Sequence, residues 1–390
     1  MKTILLGWDL GEGFSYVLQL RQIADALAAA GHRPVLALRS LEAVGDLLAD
    51  RPHPVVQAPW LIGRVHGEAA VQGLYPTGFA DLMAVNGFSS VDHLLSMQRG
   101  WRDLIDVVRP DLVVARYAPV LMSAAYGRVP TVLFGDPYVV PPADAAQFPV
   151  FSDDVPPYAD QAALLDIVRE VQARYGAPQP ERLTDIYRGD RRVVLGLPAC
   201  DPYRADRREP CVGMFETAPP LPDAPGEGVH AYLAGSDAET WLLLEALVEA
   251  GLPTRVFVRD TVPELIAAID ASPLARLDQP PPVFEACAGA RLVVHHGGPN
   301  TAYAALASGR PQLVLPRELD QWLTARGMAE SGDGVLVSME AGVGAVAEQI
   351  RRLATAPEAQ AAARASAVAM RAQRLHGAWQ AVVDACLALV

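Results

Sequence analysis

The residues best suited to chemistry lie in one run, residues 293–321, VVHHGGPNTAYAALASGRPQLVLPRELDQ. An apolar strand ends in His295 and His296. Gly297 and Gly298 follow, then Asn300 and Thr301 at the head of a helix. Glycines hold no side chain between backbone and ligand. Free N–H groups at a helix start, with the helix dipole, suit a phosphate. His296 is placed to donate a hydrogen bond to a phosphate oxygen, and Thr301 to add a hydroxyl. The next strand ends at Pro316, which puts Asp320 and Gln321 in a loop on the same carboxyl edge of the sheet. A carboxylate and an amide are suitable partners for sugar hydroxyls.

The run resembles the donor-binding signature of nucleotide-sugar glycosyltransferases of the two-domain GT-B type. It is most like the bacterial branch, within the UDP-glycosyltransferase-like family, that glycosylates natural products and lipids. The matching elements are His296-Gly297-Gly298, Asn300-Thr301, Gly309-Arg310-Pro311 and Pro316 through Asp320-Gln321, with Gly332-Asp333-Gly334 trailing. The resemblance implies that His296, Asn300 and Thr301 face a diphosphate, with His295 near it. It implies that Asp320 and Gln321 bind the donor sugar. Gly235-Ser236 looks like a second loop facing the same diphosphate, although a Gly-Ser turn is also a common structural feature. Many uridine-nucleotide members carry a glutamate for the ribose hydroxyls eight residues after the His-Gly-Gly histidine; here that position is Ala304. A thymidine-diphosphate sugar, which lacks the 2′-hydroxyl, is therefore slightly favoured over a uridine-diphosphate sugar.

The N-terminal half departs further. The resembled enzymes carry a histidine after the first glycine loop and an aspartate after a later strand, a pair that removes the acceptor's proton. The corresponding positions here are Tyr16 and Arg116. Tyrosine near pKa ~10 is a poor base at neutral pH, and arginine has no basic form there. Arg116 could instead bind an anion or act on Tyr16. The acids left near that edge are Glu12, Asp136 and Asp9; Glu12 or Asp136 is the expected base, with Asp9 behind them. Three outcomes stay open: an acid replaces the histidine, the acceptor needs little base help, or the chain keeps donor binding and has lost transfer.

The resemblance thus implies an inverting hexosyltransferase acting on a small-molecule, lipid or peptide acceptor. The alternatives are a donor-binding partner protein in a biosynthetic complex, a nucleotide-sugar epimerase, or a lipid-linked-sugar transferase. No cofactor beyond the donor and no essential metal is expected, because the run offers phosphate contacts from glycine amides and histidine and no DxD pair. A dinucleotide oxidoreductase is disfavoured: Gly11-Glu12-Gly13 lacks the third fingerprint glycine, position 16 being tyrosine.

These residues need elements to carry them. Residues 2–8 form an apolar run before the glycine loop, residues 17–30 have helical periodicity closed by Gly31, and residues 34–38 read as a strand. Apolar strands are expected at 111–115 and 131–134, with an irregular, aromatic stretch at 52–96. Residues 219–228 hold four prolines and two glycines, and read as a linker. Strand–helix alternation restarts at 229, and the tail from 340 is alanine-rich and helical. The expected fold is α/β, with two Rossmann-like domains facing each other across a cleft. The boundaries are 1–218 for an acceptor domain, 219–228 for the linker, 229–372 for a nucleotide-sugar domain, and 373–390 for a C-terminal helix that could pack back on the first.

Composition agrees with this frame. The chain has 390 residues, 51% hydrophobic and 20% charged, enough for two cores. A net charge of −13 gives no global attraction to nucleic acid or anionic lipid. Cys200, Cys211, Cys287 and Cys386 form no CxxC pair and have no histidine at metal-ligand spacing. They read as reduced thiols of a cytoplasmic protein. No run reaches 18 apolar residues, so no membrane span is expected, and folded structure from residue 3 argues against a signal peptide. A homodimer or a biosynthetic partner is compatible with all of this.

Overall fold

Parallel strands buried on both faces are written as unbroken apolar runs, and the chain contains two sets of them. The computed structural model describes residues 1–11, 14–42, 44–50, 53–60, 76–151 and 155–390. These residues divide into two units. The first comprises Met1–Leu195, Pro202–Phe215 and Ala378–Val390; the second comprises Gly196–Asp201 and Glu216–Gly377.

Unit one contains β1 (Thr3–Gly7), β2 (Arg33–Leu38), β3 (Val55–Gln57), β4 (Leu112–Arg116), β5 (Thr131–Gly135) and β6 (Arg191–Val194). They pair in parallel in the order β3-β2-β1-β4-β5-β6. Unit two contains β7 (Val229–Ala234), β8 (Thr254–Arg259), β9 (Ala275–Arg276), β10 (Leu292–His295), β11 (Gln312–Val314) and β12 (Val335–Leu336). Its order is β12-β11-β10-β7-β8-β9, again all parallel. Counted from the first strand of each sheet, both follow the doubly wound order 3-2-1-4-5-6. In that order the connections leave in opposite directions from the first and fourth strands, and ligands bind at the carboxyl ends there. The switch points are β1/β4 and β7/β10.

One face of the first sheet packs Ile4, Leu6, Leu112, Val114 and Phe134 against Leu20, Ile23 and Leu27 of the helix Phe14–Ala29. The C-terminal helix Trp379–Leu387 completes that core with Val382, Val383 and Cys386. In unit two, Ala231, Leu233 and Val294 pack on Leu243 and Leu247 of helix Ala238–Ala250 and on Val346 and Ile350 of helix Gly342–Thr355. Its other face carries a smaller cluster of Cys287, Ala290, Val293, Ala304 and Ala305.

Within the stretch expected to be irregular, the described residues form β3 and the helices Phe79–Met83 and Val91–Val108. Phe79 and Phe88 are fully buried, and Phe79 packs its ring 4.7 Å from that of Tyr187. No helix among the described residues is long and apolar enough to cross a membrane.

Candidate functional site

The switch point of unit two is where β7 and β10 diverge. β10 ends at His295, which is 1% exposed. The Gly297 amide donates to His295 Nδ1 at 2.9 Å, so the ring's hydrogen sits on Nε2 and goes to Gln312 Oε1, also 2.9 Å away. Both nitrogens are engaged, and burial pushes the ring's pKa down to about 4. His295 therefore fixes the turn, and the Gly297 amide, expected to be open to a phosphate, is spent on it. Gly297 has φ +94°, and a Cβ there would meet the Gln321 carbonyl oxygen at 2.8 Å. Gly298 faces open space, immediately before the helix Pro299–Ala307. Asn300 and Thr301 lie in its first turn, as expected.

His296 comes next in the chain. Its Nδ1 lies 2.8 Å from the Leu315 carbonyl, which can only accept, so Nδ1 carries the hydrogen. Burial lowers the ring's pKa to about 4, so Nε2 is a bare acceptor at neutral pH. That nitrogen lies 3.3 Å from Thr240 Oγ1. The neutral ring braces the turn through Leu315.

Thr240 belongs to a network that sequence reasoning missed. Asp237, which follows Gly235-Ser236 at the end of β7, caps helix Ala238–Ala250 by accepting from the Thr240 amide at 3.1 Å. Its other oxygen accepts from Arg317 in an ion pair. The Arg317 amide donates to Gln321 Oε1 at 3.0 Å. The turn after β7, the turn after β10 and the segment after β11 are thus joined through Arg317, Asp237, Thr240 and His296. Asp237 was legible as a cap, an acid just before a helical run. Arg317 sits at a variable place in the motif and gave no signal. Asp320 and Gln321 occupy the first turn of a helix, Leu319–Glu330, and not a loop. They, Asn300 and Ser236 are part-exposed. Ala304 is fully buried in the small apolar cluster.

In unit one, Tyr16 and Arg116 are brought together at the β1/β4 switch point: the Arg116 guanidinium carbon is 4.7 Å from the Tyr16 ring centroid. Arg116 is buried, gives Nε to Gln19 at 2.9 Å and Nη2 to Asp136 Oδ2 at 2.7 Å. Burial opposes its charge, but Asp136 and Tyr16 outweigh that and hold its pKa above the ordinary value. Tyr16 stacks on Trp8 at 5.0 Å, and the ring series continues through Tyr117 to Tyr138. Asp9 is 7% exposed and accepts from the Leu121 amide at 3.0 Å, at the start of helix Pro119–Ala125. That makes Asp9 a buried cap and not an open base. Glu12 lies outside the described residues.

Two Rossmann-like units in one chain, each with its switch point at the strands' carboxyl edge, define the GT-B architecture. The family described as erythromycin biosynthesis protein CIII-like, C-terminal domain, matches residues 259–389. The 10-deoxymethynolide desosaminyltransferase of Streptomyces venezuelae is 26% identical over 282 residues, covering 65% of this chain and 60% of that protein. Elloramycin glycosyltransferase ElmGT of Streptomyces olivaceus is 39% identical over 114 residues, 28% of this chain and 26% of its own length. The matched regions thus span less than two thirds of either curated relative. Among solved structures, the calicheamicin glycosyltransferase CalG4 superposes with a TM-score of 0.73 at 18% identity, covering 100% of this chain and 98% of that one. Glycosyltransferase VinC in complex with dTDP gives 0.65 at 19% identity, covering 98% and 99%. Spinosyn rhamnosyltransferase SpnG complexed with thymidine diphosphate gives 0.63 at 18%, covering 99% and 100%. The chain has the GT-B fold and is related to bacterial natural-product glycosyltransferases.

Proposed function

We infer that this protein moves a sugar from a nucleoside-diphosphate sugar to a small-molecule acceptor, by direct displacement at the anomeric carbon with inversion. The observation that carries this is the head of helix Pro299–Ala307, which opens at the switch point of its sheet with Gly298 in open space before it. A helix start in that position favours an anionic diphosphate. Gly298, Asn300, Thr301 and Ser236 meet the diphosphate. His295, His296 and Gly297 hold the surrounding turns. Asp320 and the amide nitrogen of Gln321 take sugar hydroxyls.

Unit one receives the acceptor. Asp136 is the base that the geometry favours: Arg116 holds Oδ2, leaving Oδ1 for the acceptor's hydroxyl proton. The deprotonating oxygen attacks C1. The bond from C1 to the diphosphate breaks, and the nucleoside diphosphate leaves with the bonding pair. The part-exposed rings of Tyr16 and Tyr138, backed by the buried rings of Trp8 and Tyr117, support a flat, largely apolar acceptor. A thymidine nucleotide is the favoured donor. The Ala304 methyl is sealed in an apolar cluster, with nothing to hold a ribose diol, and two related structures contain thymidine diphosphate. Four buried cysteines left as thiols support a cytoplasmic setting.

A second reading is a donor-binding partner without transfer. It is favoured by Arg116, whose guanidinium occupies the catalytic aspartate's place and ties up Asp136. Incubation with thymidine- and uridine-diphosphate sugars and a panel of hydroxylated acceptors separates the two. Transfer is expected, lost in Asp320→Ala and slowed at least ~100-fold in Asp136→Asn. Tight nucleotide binding with no product from any acceptor supports the second reading, and no nucleotide affinity at all defeats both.

A further inference from the structure

We propose that Arg317 is a donor-recognition residue, its guanidinium held by Asp237 over the Gly235 turn to meet the diphosphate of the nucleotide-sugar. This rests on the donor-site reading above and adds to it the group that supplies positive charge.

A diphosphate brings several negative charges into a site, and neutral amides alone leave them unmatched. Each histidine of the motif has its ring hydrogen engaged within the protein. His295 is spent on Gly297 and Gln312, and His296 gives its hydrogen to Leu315. Arg317 is a cation carried to the same edge. Gly235 has φ +74°, and a Cβ on it would meet Arg317 Nη2 at 2.7 Å, Cζ at 3.1 Å and Nη1 at 3.3 Å. The guanidinium therefore lies flat against the backbone of the turn that ends β7, at the switch point of the sheet. A side chain on Gly235 would displace it.

Asp237 fixes the direction of the fork. It takes Arg317 Nε and Nη2 on one oxygen, while the Thr240 amide binds the other at 3.1 Å. Burial alone would push the Asp237 carboxyl up, but the Thr240 amide and Arg317 hold it below the usual carboxylate range, so the pair stays charged at neutral pH. Nη1 is left for a ligand. The pair is not sealed: the two side chains are 21% and 32% exposed. The cap on helix Ala238–Ala250 is already made by Asp237 and Thr240, so helix capping does not require the arginine. An exposed ion pair of this kind contributes little stability, whereas a planar fork aimed at phosphoryl oxygens suits recognition.

The charge matters most during transfer. As the bond from C1 to the diphosphate oxygen breaks, its electron pair passes to that oxygen, and the acceptor's proton goes to the base. The leaving group gains charge beside a pre-placed guanidinium, so the contact strengthens towards the transition state. Arg317 then affects kcat as well as donor affinity.

Titration calorimetry on the full chain with thymidine diphosphate and with thymidine tests this. Arg317→Gln should weaken thymidine diphosphate about 10- to 100-fold, the usual scale for a hydrogen bond to a charged group, and leave thymidine unchanged. Arg317→Lys should recover part of the loss, because it keeps the charge without the fork. Unchanged diphosphate affinity in Arg317→Gln overturns the proposal. So does an equal loss of thymidine and thymidine diphosphate in both variants, which would make the pair a brace. If the unmodified protein binds neither compound, the donor reading itself falls.

Discussion

Asp9 sits where burial and hydrogen bonding oppose each other. The Leu121 amide favours its ionised form, but burial dominates and raises its pKa from 3.8 to about 8. The consequence for stability has a definite sign. Below pH ~4 both folded and unfolded chains hold the proton. Between the two values the unfolded chain releases it and the folded chain does not, so stability drains away as pH rises towards 8. Asp9→Asn removes the titration while keeping an oxygen for Leu121. Its stability relative to the unmodified chain should grow steadily from pH 5 to pH 8, read as the difference in urea midpoints. A gap that stays constant over that range would mean that burial does not control this carboxyl. Such a residue could not be told from a base by type and position alone, since both roles put an acid just past the first strand. The neighbour that decides, Leu121, lies more than a hundred positions away.

At the scale of elements, the strand–turn–helix units were legible because two signals coincide in them. β4 and β10 are buried at every position, which writes an apolar run up to their last residue, and Gly297 and Gly298 mark the turn that follows β10. The same logic made the His-Gly-Gly turn and helix Pro299–Ala307 readable. It failed for Phe79–Met83, where every residue is buried, Asp81 included, so no helical period shows. Asp81 is fully buried, and its carboxyl gathers the Thr77 amide, the Thr77 hydroxyl and the Ala159 amide, each at 2.9 Å. That one side chain pins the start of the helix to the segment leading into helix Gln161–Arg174. Removing it leaves three part-buried donors without that partner. Asp81→Ala should therefore cost about 3 kcal/mol or more of unfolding free energy, whereas an exposed acid such as Asp103 should cost almost nothing. Equal, small losses at both positions in denaturant titrations would show that the buried contacts are not worth what their number implies.

At the scale of the molecule, the chain builds unit one, leaves it, and returns to finish it. It crosses after Leu195, again after Asp201 and Phe215, and finally after Gly377. Hydrogen bonds from the Ala378 amide to the Met214 carbonyl and from the Trp379 amide to the Phe215 carbonyl fasten the returning segment. Val382, Val383 and Cys386 then enter the core beneath β5 and β6, against the helix Phe14–Ala29. Full burial of an aliphatic side chain contributes about 1.5–3 kcal/mol, so the last thirteen residues hold a share of unit one's stability comparable to that of a central helix. Composition hides this, because an alanine-rich helical tail reads the same whether it covers a core or not. Unit two has its own core, with Val346 and Ile350 closing it from helix Gly342–Thr355, and needs nothing beyond Gly377. Deleting residues 378–390 should therefore act selectively. Amide hydrogen exchange should accelerate in β1, β4 and β5 and remain slow in β7, β10 and β11, because local stability follows the contacts each unit retains. Thymidine diphosphate affinity, if it belongs to unit two, should survive the deletion. Uniform acceleration across both sheets would instead mean that the two units unfold as one, and would remove the ground for assigning donor binding to unit two by itself.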